Sequence, residues 1–276
     1  MKKIILAVLA ALVLSLALAG CGGKDEKKAA PSVAAPKNVV LKVGATAVPH
    51  AEILKAIQPA LAKEGIELKI VEFSDYVRPN VALAEKELDA NFFQHVPYLE
   101  QFSKDRKLDL TYTVAVHIEP MGVYSKKIKT LNELPAGALV AIPNDPTNAG
   151  RSLAILAKAG LIKLKDGVGV KGTAKDVTDN PKKLVFKELE APLLPRALDD
   201  VTIAIINANY ALEAKLVPAK DAIFLEPKES PYANVLAVRK GDEKRPEIEK
   251  LSKALTSPEV KKFIEEKYKG AVIPAF

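Results

Sequence analysis

The sequence predicts an α/β fold with two lobes, and two observations lead to this prediction. From residue 39 onward, short runs rich in β-branched residues alternate with segments whose apolar residues recur with a helical period. Strand–helix–strand units of this kind imply mostly parallel sheets flanked by helices. The same part of the chain spans roughly 240 residues, which is enough for two lobes of ordinary domain size.

A signal peptide is predicted for residues 1–20. Lys2 and Lys3 precede a continuous apolar run over residues 4–19, and small residues stand before Cys21, the only cysteine of the chain. The run is too short, and too closely followed by polar residues, for a good membrane span. The segment from Leu18 to Cys21 resembles the lipobox of bacterial lipoproteins, which are cleaved before a cysteine whose sulfur carries a diacylglycerol. The alternative is an ordinary secretory signal with an incidental cysteine.

A flexible tether is predicted for residues 21–38. Gly, Lys, Ala, Pro and Ser dominate this stretch, so it cannot bury enough apolar surface to fold. An acylated Cys21 followed by a tether would hold the folded part outside the membrane but close to it. We therefore expect a protein anchored to the cell membrane, with the folded part facing the periplasm or the cell exterior and a partner at the membrane.

The charge pattern does not indicate nucleic-acid binding. Removal of residues 1–20 takes away two lysines and leaves 39 basic and 34 acidic residues. The lysines are scattered among glutamates, and no basic stretch is interleaved with aromatic residues. This pattern is typical of a generally solvated surface.

The first half of the folded part contains two predicted strand–helix–strand units. Apolar residues share one face of the first helix, which begins at about Pro49 and is ended by Gly65. The predicted strands of this half are 39–44, 66–73, 90–93 and 110–116, and the other predicted helices are 80–87 and 97–107.

The pattern restarts after Glu119 and Pro120. The predicted strands of this part are 139–143, 184–189, 201–206 and 235–238, with a helix-like segment at 193–199 and two closing helices, the last of which has Ser257 as N-cap and Pro258 as first residue. The turn-rich loop 144–150 opens a helix with Arg151 in its first turn. Free N–H groups at a helix start favour an anion, and arginine adds a bidentate donor for a carboxylate. The alternative is an ordinary surface arginine.

An aromatic segment is the strongest local signal for a ligand site. The chain has 8 Phe, 7 Tyr and no Trp, yet Phe92, Phe93, Tyr98 and Phe102 lie within eleven residues. This concentration favours the wall of a ligand cleft. The alternative is a core strand followed by a helix, with His95 at the helix surface. Asn207 follows a predicted strand, where it could either read a ligand or cap a helix.

Catalytic and metal-binding patterns are weak. The chain has no Gly-x-Ser-x-Gly elbow, no phosphate-binding loop and no dinucleotide fingerprint, so it is not expected to be an enzyme or to carry a cofactor. His50, His95 and His117 could supply a zinc site with Glu119, but their spacing is unpaired, and no metal site is expected. His50 is expected to be exposed at a helix start, and His117 to cap a strand.

Longer motifs extend over both predicted lobes. They are Phe73-Ser-Asp-Tyr76, Asp89-Ala-Asn-Phe-Phe-Gln-His95, Pro97-Tyr98, Ile142-Pro-Asn-Asp-Pro-Thr-Asn148, Gly150-Arg-Ser-Leu153, Gly160-Leu-Ile-Lys-Leu-Lys-Asp-Gly-Val-Gly169, Leu189-Glu-Ala-Pro192, Pro195-Arg-Ala-Leu-Asp-Asp200 and Glu229-Ser-Pro-Tyr232 followed by Asn234. With these motifs, the chain from Lys37 to its end resembles the methionine-binding lipoproteins of ABC importers, the NlpA lipoprotein family.

The resemblance implies a two-lobed fold like that of periplasmic binding proteins. Its chain would cross between the lobes near residues 118–121 and again near 226–232. Lobe 1 would then comprise residues 39–118 and 232–276, and lobe 2 residues 119–231. A free amino acid would be held in the cleft and delivered to the importer's permease and its ATPase.

The resemblance also implies roles for particular residues. The side-chain pocket falls on Tyr76, Phe93, His95 and Tyr98, although Phe92 leaves open which of the two adjacent rings faces the ligand. Arg151 would hold the carboxylate of the ligand. Asn207 and Asn234 would bind its other polar backbone atoms.

The implied ligand is methionine, with L-methionine expected. The alternatives are a methionine-containing dipeptide, D-methionine, another small apolar amino acid, or an anchored surface or adhesion protein whose cleft is vestigial. A vestigial cleft would have no physical need for Arg151 and Asn234.

Overall fold

The structure is a computed structural model that describes residues 38–227 and 230–276. The predicted signal peptide, the predicted lipidation site Cys21 and nearly all of the predicted tether lie outside the described residues. Within the described residues, no helix combines the length and the apolar character that crossing a membrane requires.

Strands and helices alternate along the described chain. The strands are β1 (Val39–Thr46), β2 (Ile66–Phe73), β3 (Ala90–His95), β4 (Leu110–Ile118), β5 (Gly122–Tyr124), β6 (Leu139–Pro143), β7 (Lys163–Leu164), β8 (Val177–Asp179), β9 (Val185–Leu189), β10 (Ile203–Ile206), β11 (Phe224–Leu225), β12 (Ala233–Arg239) and β13 (Ile273–Pro274). The helices are α1 (Glu52–Lys63), α2 (Arg78–Ala84), α3 (Val96–Arg106), α4 (Pro146–Lys158), α5 (Leu194–Ala197), α6 (Ala208–Glu213), α7 (Pro218–Asp221), α8 (Pro246–Leu255) and α9 (Pro258–Tyr268). An irregular helical turn, Ala47–Ala51, precedes α1.

The strands form two main sheets. The first sheet has six strands in the order β13-β4-β12-β3-β1-β2, and the second has five in the order β11-β5-β10-β6-β9. In the first sheet β1 pairs in parallel with β2 and β3, and the pairs that involve β12 and β13 are antiparallel. In the second sheet β6 pairs in parallel with β9 and β10, while β5 pairs antiparallel to β10 and β11. The predicted α/β class is confirmed, with a parallel centre in each sheet and antiparallel strands added beside it.

Helices cover both faces of each sheet. On the first sheet, α1, α8 and α9 bury one apolar face, and α2 and α3 bury the other. On the second sheet, α4 covers one face, and α5 and α6 cover the other. Because β3 is buried along its whole length, its sequence carries polar residues only where they find partners.

Two connections join the sheets. The chain leaves the first sheet after Ile118 and enters the second at Gly122, and it returns between Leu225 and Ala233. These are the places at which the resemblance implies crossings between lobes. The lobe boundaries themselves stay a prediction.

Candidate functional site

A cavity lies at the carboxyl ends of β3 and β10, beside the connection that follows β4. The helices α4 and α6 begin next to it. The space among its lining side chains is about 340 Å³, including space that is open to solvent. The side chains that line it are Tyr76, Phe93, Gln94, His95, Tyr98, Glu119, Asn148, Arg151, Asn207, Ala208, Asn209 and Asn234. All seven residues that the sequence predicts for the site are therefore brought to one cavity.

One end of the cavity is aromatic. The ring centre of Tyr76 lies 5.9 Å from that of Phe93 and 5.8 Å from that of Tyr98. Phe92, which the sequence leaves as the alternative to Phe93, points to the opposite face of β3 and packs its ring 4.7 Å from the ring of His50. Successive residues of a strand face opposite sides, so Phe93 contributes to the cavity and Phe92 to the core.

The tyrosine hydroxyls of this end are already bonded. Tyr98 donates to the backbone oxygen of Tyr76 over 2.8 Å, and Tyr76 donates to Oδ1 of Asn209 over 2.6 Å. Burial raises the pKa of both hydroxyl groups above its ordinary value, so both remain neutral. Their polar atoms are occupied, which leaves the faces of the rings for an apolar ligand group.

His95 joins the aromatic end to the polar end. It is the last residue of β3 and the N-cap of α3, where its Nδ1 accepts the backbone N–H of Tyr98 over 3.2 Å. Its Nε2 lies 3.1 Å from Oδ1 of Asn148, which also accepts Nδ2 of Asn207 over 3.0 Å. Burial, and next the charge of Arg151, lower the pKa of His95 to about 3. His95 is thus a buried, neutral ring with its proton on Nε2, and the alternative that placed it at the helix surface is wrong.

Arg151 is buried in an ion pair that the sequence does not reveal. Its Nε donates to Oε1 of Glu226 over 3.0 Å, its Nη2 also donates to Glu226, and Nη2 donates to the backbone oxygen of Glu119 over 2.8 Å. Its guanidinium carbon lies 4.0 Å from the ring centre of Tyr232. Within the described residues Nη1 has no hydrogen bond, so one edge of the guanidinium is left for a ligand.

The predicted position of Arg151 in the first turn of its helix is wrong. Helix α4 begins at Pro146, so Arg151 lies in the second turn. The N-cap is Asp145, whose carboxylate accepts the backbone N–H of Asn148 over 2.9 Å. The N–H group of Asn148, one of those expected to attract an anion, is therefore bonded within the chain itself.

Two asparagines after β10 leave polar atoms without partners. In the part of the chain that the structure describes, Oδ1 of Asn207 and Nδ2 of Asn209 are buried and form no hydrogen bond. Buried polar atoms rarely stay unpaired, so one acceptor and one donor at the cavity call for an occupant that can both donate and accept. Asn209 is missing from the predicted site, although the Asn-Ala-Asn pattern after a strand was a usable signal.

A second polar cluster lies behind the cavity, around Glu119. Nε2 of His117 lies 2.8 Å from Oε1 of Glu119, Nε2 of His50 lies 3.3 Å from the same atom, and Asn234 Oδ1 lies 3.1 Å from Nε2 of His50. The prediction that His50 is exposed is wrong: only 1 % of its surface is accessible, because the turn that carries it packs against Phe92.

Burial sets the protonation of this cluster. It lowers the pKa of His50 to about 4 and that of His117 to about 3, and it raises the pKa of Glu119. One nitrogen of each ring and one oxygen of Glu119 lie within 4.8 Å of one another, which is close enough to hold a metal ion. The expectation that the chain has no metal site stays a prediction.

These features define the chain, over its described residues, as an α/β protein with two helix-covered sheets and a cavity that is aromatic at one end and polar at the other. A sequence model described as NlpA lipoprotein matches residues 41–276. The chain belongs to the NlpA lipoprotein family, and the family resemblance of its motifs is confirmed.

Relatives are similar over nearly the whole chain. The D-methionine-binding lipoprotein MetQ of Escherichia coli K12 is 46 % identical over 270 residues, which cover 97 % of this chain and 96 % of that protein. The methionine-binding lipoprotein MetQ of Bacillus subtilis 168 is 45 % identical over 279 residues, with 99 % of each chain covered. A solved structure of a nutrient binding protein from Burkholderia cenocepacia, bound to methionine, superimposes with a TM-score of 0.83 at 50 % identity and covers 86 % of this chain and 100 % of that one.

Proposed function

We propose that the chain is a lipid-anchored substrate-binding protein that captures methionine in this cavity and delivers it to an ABC importer. The observation that carries the proposal is that one cavity has an aromatic end and a polar end, and that the polar end has a donor and an acceptor without partners among the described residues. An amino acid with an apolar side chain matches this cavity, because one of its ends is apolar and the other can both donate and accept hydrogen bonds. The names of the relatives, which are those of binding proteins, support the proposal.

The proposed ligand lies along the cavity. Its thioether contacts the rings of Tyr76, Phe93 and Tyr98, where each sulfur–aromatic contact contributes ~0.3 to 1.5 kcal/mol. Its carboxylate receives hydrogen bonds from Nη1 of Arg151 and Nδ2 of Asn209.

The remaining predicted residues complete the polar end of the site. Asn207 offers its unpartnered Oδ1 to the ammonium group of the ligand. His95 and Asn148 hold Asn207 in place through the shared oxygen of Asn148, and Asn234 closes the same end of the cavity. This arrangement keeps the roles that the resemblance implies for Arg151 and Asn207, and direct contact of Asn234 with the ligand stays a prediction.

The membrane part of the proposal rests on the N-terminal sequence and the family. Acylation of Cys21 anchors the protein to the cell membrane, and the tether lets the folded part face the periplasm or the cell exterior. The partners are the permease and the ATPase of the importer. A protein so anchored keeps the captured ligand close to the permease.

Two measurements on the purified mature protein test the proposal. Native mass spectrometry should show a co-purified mass equal to methionine. After the ligand is removed by unfolding and refolding, calorimetry with L-methionine, D-methionine, a glycyl-methionine dipeptide and alanine should show binding of methionine well above that of alanine. The affinities for L-methionine and D-methionine show which enantiomer is preferred. This comparison is needed because the relative from Escherichia coli is named for D-methionine. No binding of either enantiomer, or tighter binding of the dipeptide, would contradict the proposal.

A further inference from the structure

Three buried amide side chains bond to one another beside the cavity. Asn80, Asn91 and Gln94 are at most 3 % exposed. Oδ1 of Asn80 accepts hydrogen bonds from Nδ2 of Asn91 over 2.8 Å and from Nε2 of Gln94 over 2.7 Å. Nδ2 of Asn80 donates to Oε1 of Gln94 over 2.8 Å, and Nε2 of Gln94 also donates to Oδ1 of Asn91 over 2.9 Å. These three residues form a closed network, which we call the amide triad.

Strand β3 has one extra residue at Phe93. On the neighbouring strand β12, Val235 pairs with Gln94 and the next residue, Leu236, pairs with Phe92, so that Phe93 is skipped. Pairing with β1, on the other side of β3, ends at Phe92. Two residues opposite one is the pattern of a β-bulge, and a bulge beside a binding site changes the direction in which a side chain points.

The amide triad depends on this bulge. In a regular strand, residues three positions apart face opposite sides of the sheet, so the side chains of Asn91 and Gln94 could not bond to each other. The extra residue between them brings both amides to one side, where Asn80 of α2 meets them. A regular strand would leave buried amides without partners, which is costly. The hydrogen bonds of the triad therefore stabilise the bulged form of β3.

The triad also joins the two segments that carry rings of the aromatic end. Phe93 lies in the bulge, and Tyr76 lies two residues before α2, the helix that contains Asn80. Nδ2 of Asn91 donates in addition to the backbone oxygen of Pro79 over 3.1 Å, which is a second link between β3 and the first turn of α2. The network therefore fixes Phe93 relative to Tyr76, and the centres of these two rings lie 5.9 Å apart.

Gln94 lines the cavity, but its donors are already used. Its Nε2 carries two protons, and they are donated to Asn80 and Asn91. The amide of Gln94 therefore acts on a ligand through the placement of the neighbouring ring and not through a hydrogen bond from its own Nε2. Directional hydrogen bonds suit this task, because a fully bonded buried network specifies one arrangement of its segment.

We propose that Asn80, Asn91 and Gln94 are positioning residues that hold the bulge at Phe93 and thereby set the preference of the cavity for the methionine side chain. This inference rests on the proposed function and identifies what places the aromatic end of the site. The three amides stabilise the fold as well, so its test has to separate selectivity from stability.

The substitution Gln94→Met removes one amide of the triad at nearly constant side-chain length. Calorimetry with methionine and with alanine of the same configuration measures the preference for methionine, and urea unfolding measures stability. The preference should fall at least about fivefold, the lower end of the effect expected for removal of the ring of Phe93. The matched control is Ser252→Ala, which removes a hydroxyl that is 8 % exposed and lies 2.8 Å from Oγ1 of Thr113, outside the cavity lining. It should lower the unfolding free energy and leave the preference unchanged.

The double variant Asn80→Leu, Gln94→Met tests whether the amides act as one unit. Each single substitution breaks the same network, so the loss of preference in the double variant should stay within about twofold of the larger single loss. A loss equal to the product of the two single losses would show independent effects and overturn the triad as a unit.

The outcomes separate this inference from the proposed function. If wild type does not prefer methionine to alanine, the proposed function is wrong and the inference falls with it. If wild type prefers methionine and folded Gln94→Met keeps the full preference, the proposed function stands and the inference is overturned, even where the variant is less stable.

Wild type itself provides the test if Gln94→Met does not fold. In NMR spectra, the side-chain amide protons of Asn91 and Gln94 should exchange with solvent at least about tenfold more slowly than those of the exposed Asn132. Exchange as fast as that of Asn132 would show that the network does not persist, and it would overturn the inference.

Discussion

The ion pair of Arg151 and Glu226 predicts separate effects on stability and on binding. Arg151→Met keeps the length of the side chain but leaves Glu226, which is 8 % exposed, without its cation. Removal of one partner of a buried pair costs about 3 to 5 kcal/mol of unfolding free energy. We therefore expect the ligand-free single variant to be strongly destabilised.

The double variant Arg151→Met, Glu226→Gln removes both charges. Neutral replacement of a buried pair is often close to neutral in stability, so most of the lost unfolding free energy should return. Binding should not return, because the ligand carboxylate loses Nη1 of Arg151 in both variants. A loss on the order of 2 to 5 kcal/mol in the binding free energy of methionine is expected in each.

Urea unfolding of the ligand-free proteins measures the first effect, and calorimetry measures the second. The exposed pair of Arg78 and Glu87 provides the control, since Arg78→Met should cost only about 0 to 1 kcal/mol of unfolding free energy. Wild-type affinity in the double variant would show that the carboxylate is held elsewhere. Unchanged stability in the single variant would show that the pair is not a buried charge pair at all.

Three further predictions concern other parts of the protein. Phe93→Ala should remove about 1 to 3 kcal/mol of the preference for methionine over alanine, as measured by calorimetry. Phe92→Ala should instead lower the unfolding free energy by about 3 to 5 kcal/mol. The reverse pattern would mean that the two rings have been assigned to the wrong faces of β3. From pH 6.5 to 5.0 the unfolding free energy should fall, because buried histidines stay neutral when folded but bind protons when unfolded. Since the pKa of His95 is lowered to about 3, His95→Gln should make this decline shallower by about 1 kcal/mol per pH unit. An unchanged slope would contradict the assignment of His95 as a buried, neutral ring. Cys21→Ala should move the protein from the detergent phase to the aqueous phase of a detergent partition with unchanged methionine affinity, and wild type in the aqueous phase would argue against the anchor.

Elements with a clear period are predictable from the sequence almost to the residue. The predicted strands 66–73 and 139–143 agree with β2 (Ile66–Phe73) and β6 (Leu139–Pro143). Ser257 caps α9 as predicted, with its hydroxyl accepting the backbone N–H of Val260 over 3.3 Å. These signals are local, because apolar alternation and capping chemistry act over a few residues.

The prediction for β3 ends two residues early for a reason that is also physical. Gln94 and His95 are polar, and a polar pair after two phenylalanines indicates the end of a buried strand. Both are buried, because Gln94 bonds to Asn80 and His95 caps the next helix. The hydrogen bonds of Gln94 to Asn80, 14 residues earlier in the chain, extend the strand beyond the point at which hydrophobicity alone would predict its end.

Partners far apart in the sequence account for what the sequence does not reveal in the site. His50 lies 184 residues from Asn234, and Arg151 lies 75 residues from Glu226. No periodicity links such positions, and a histidine next to a proline at a helix start is typical of a surface. The burial of His50 follows from the packing of its turn against β3 and β4, which only the tertiary structure reveals.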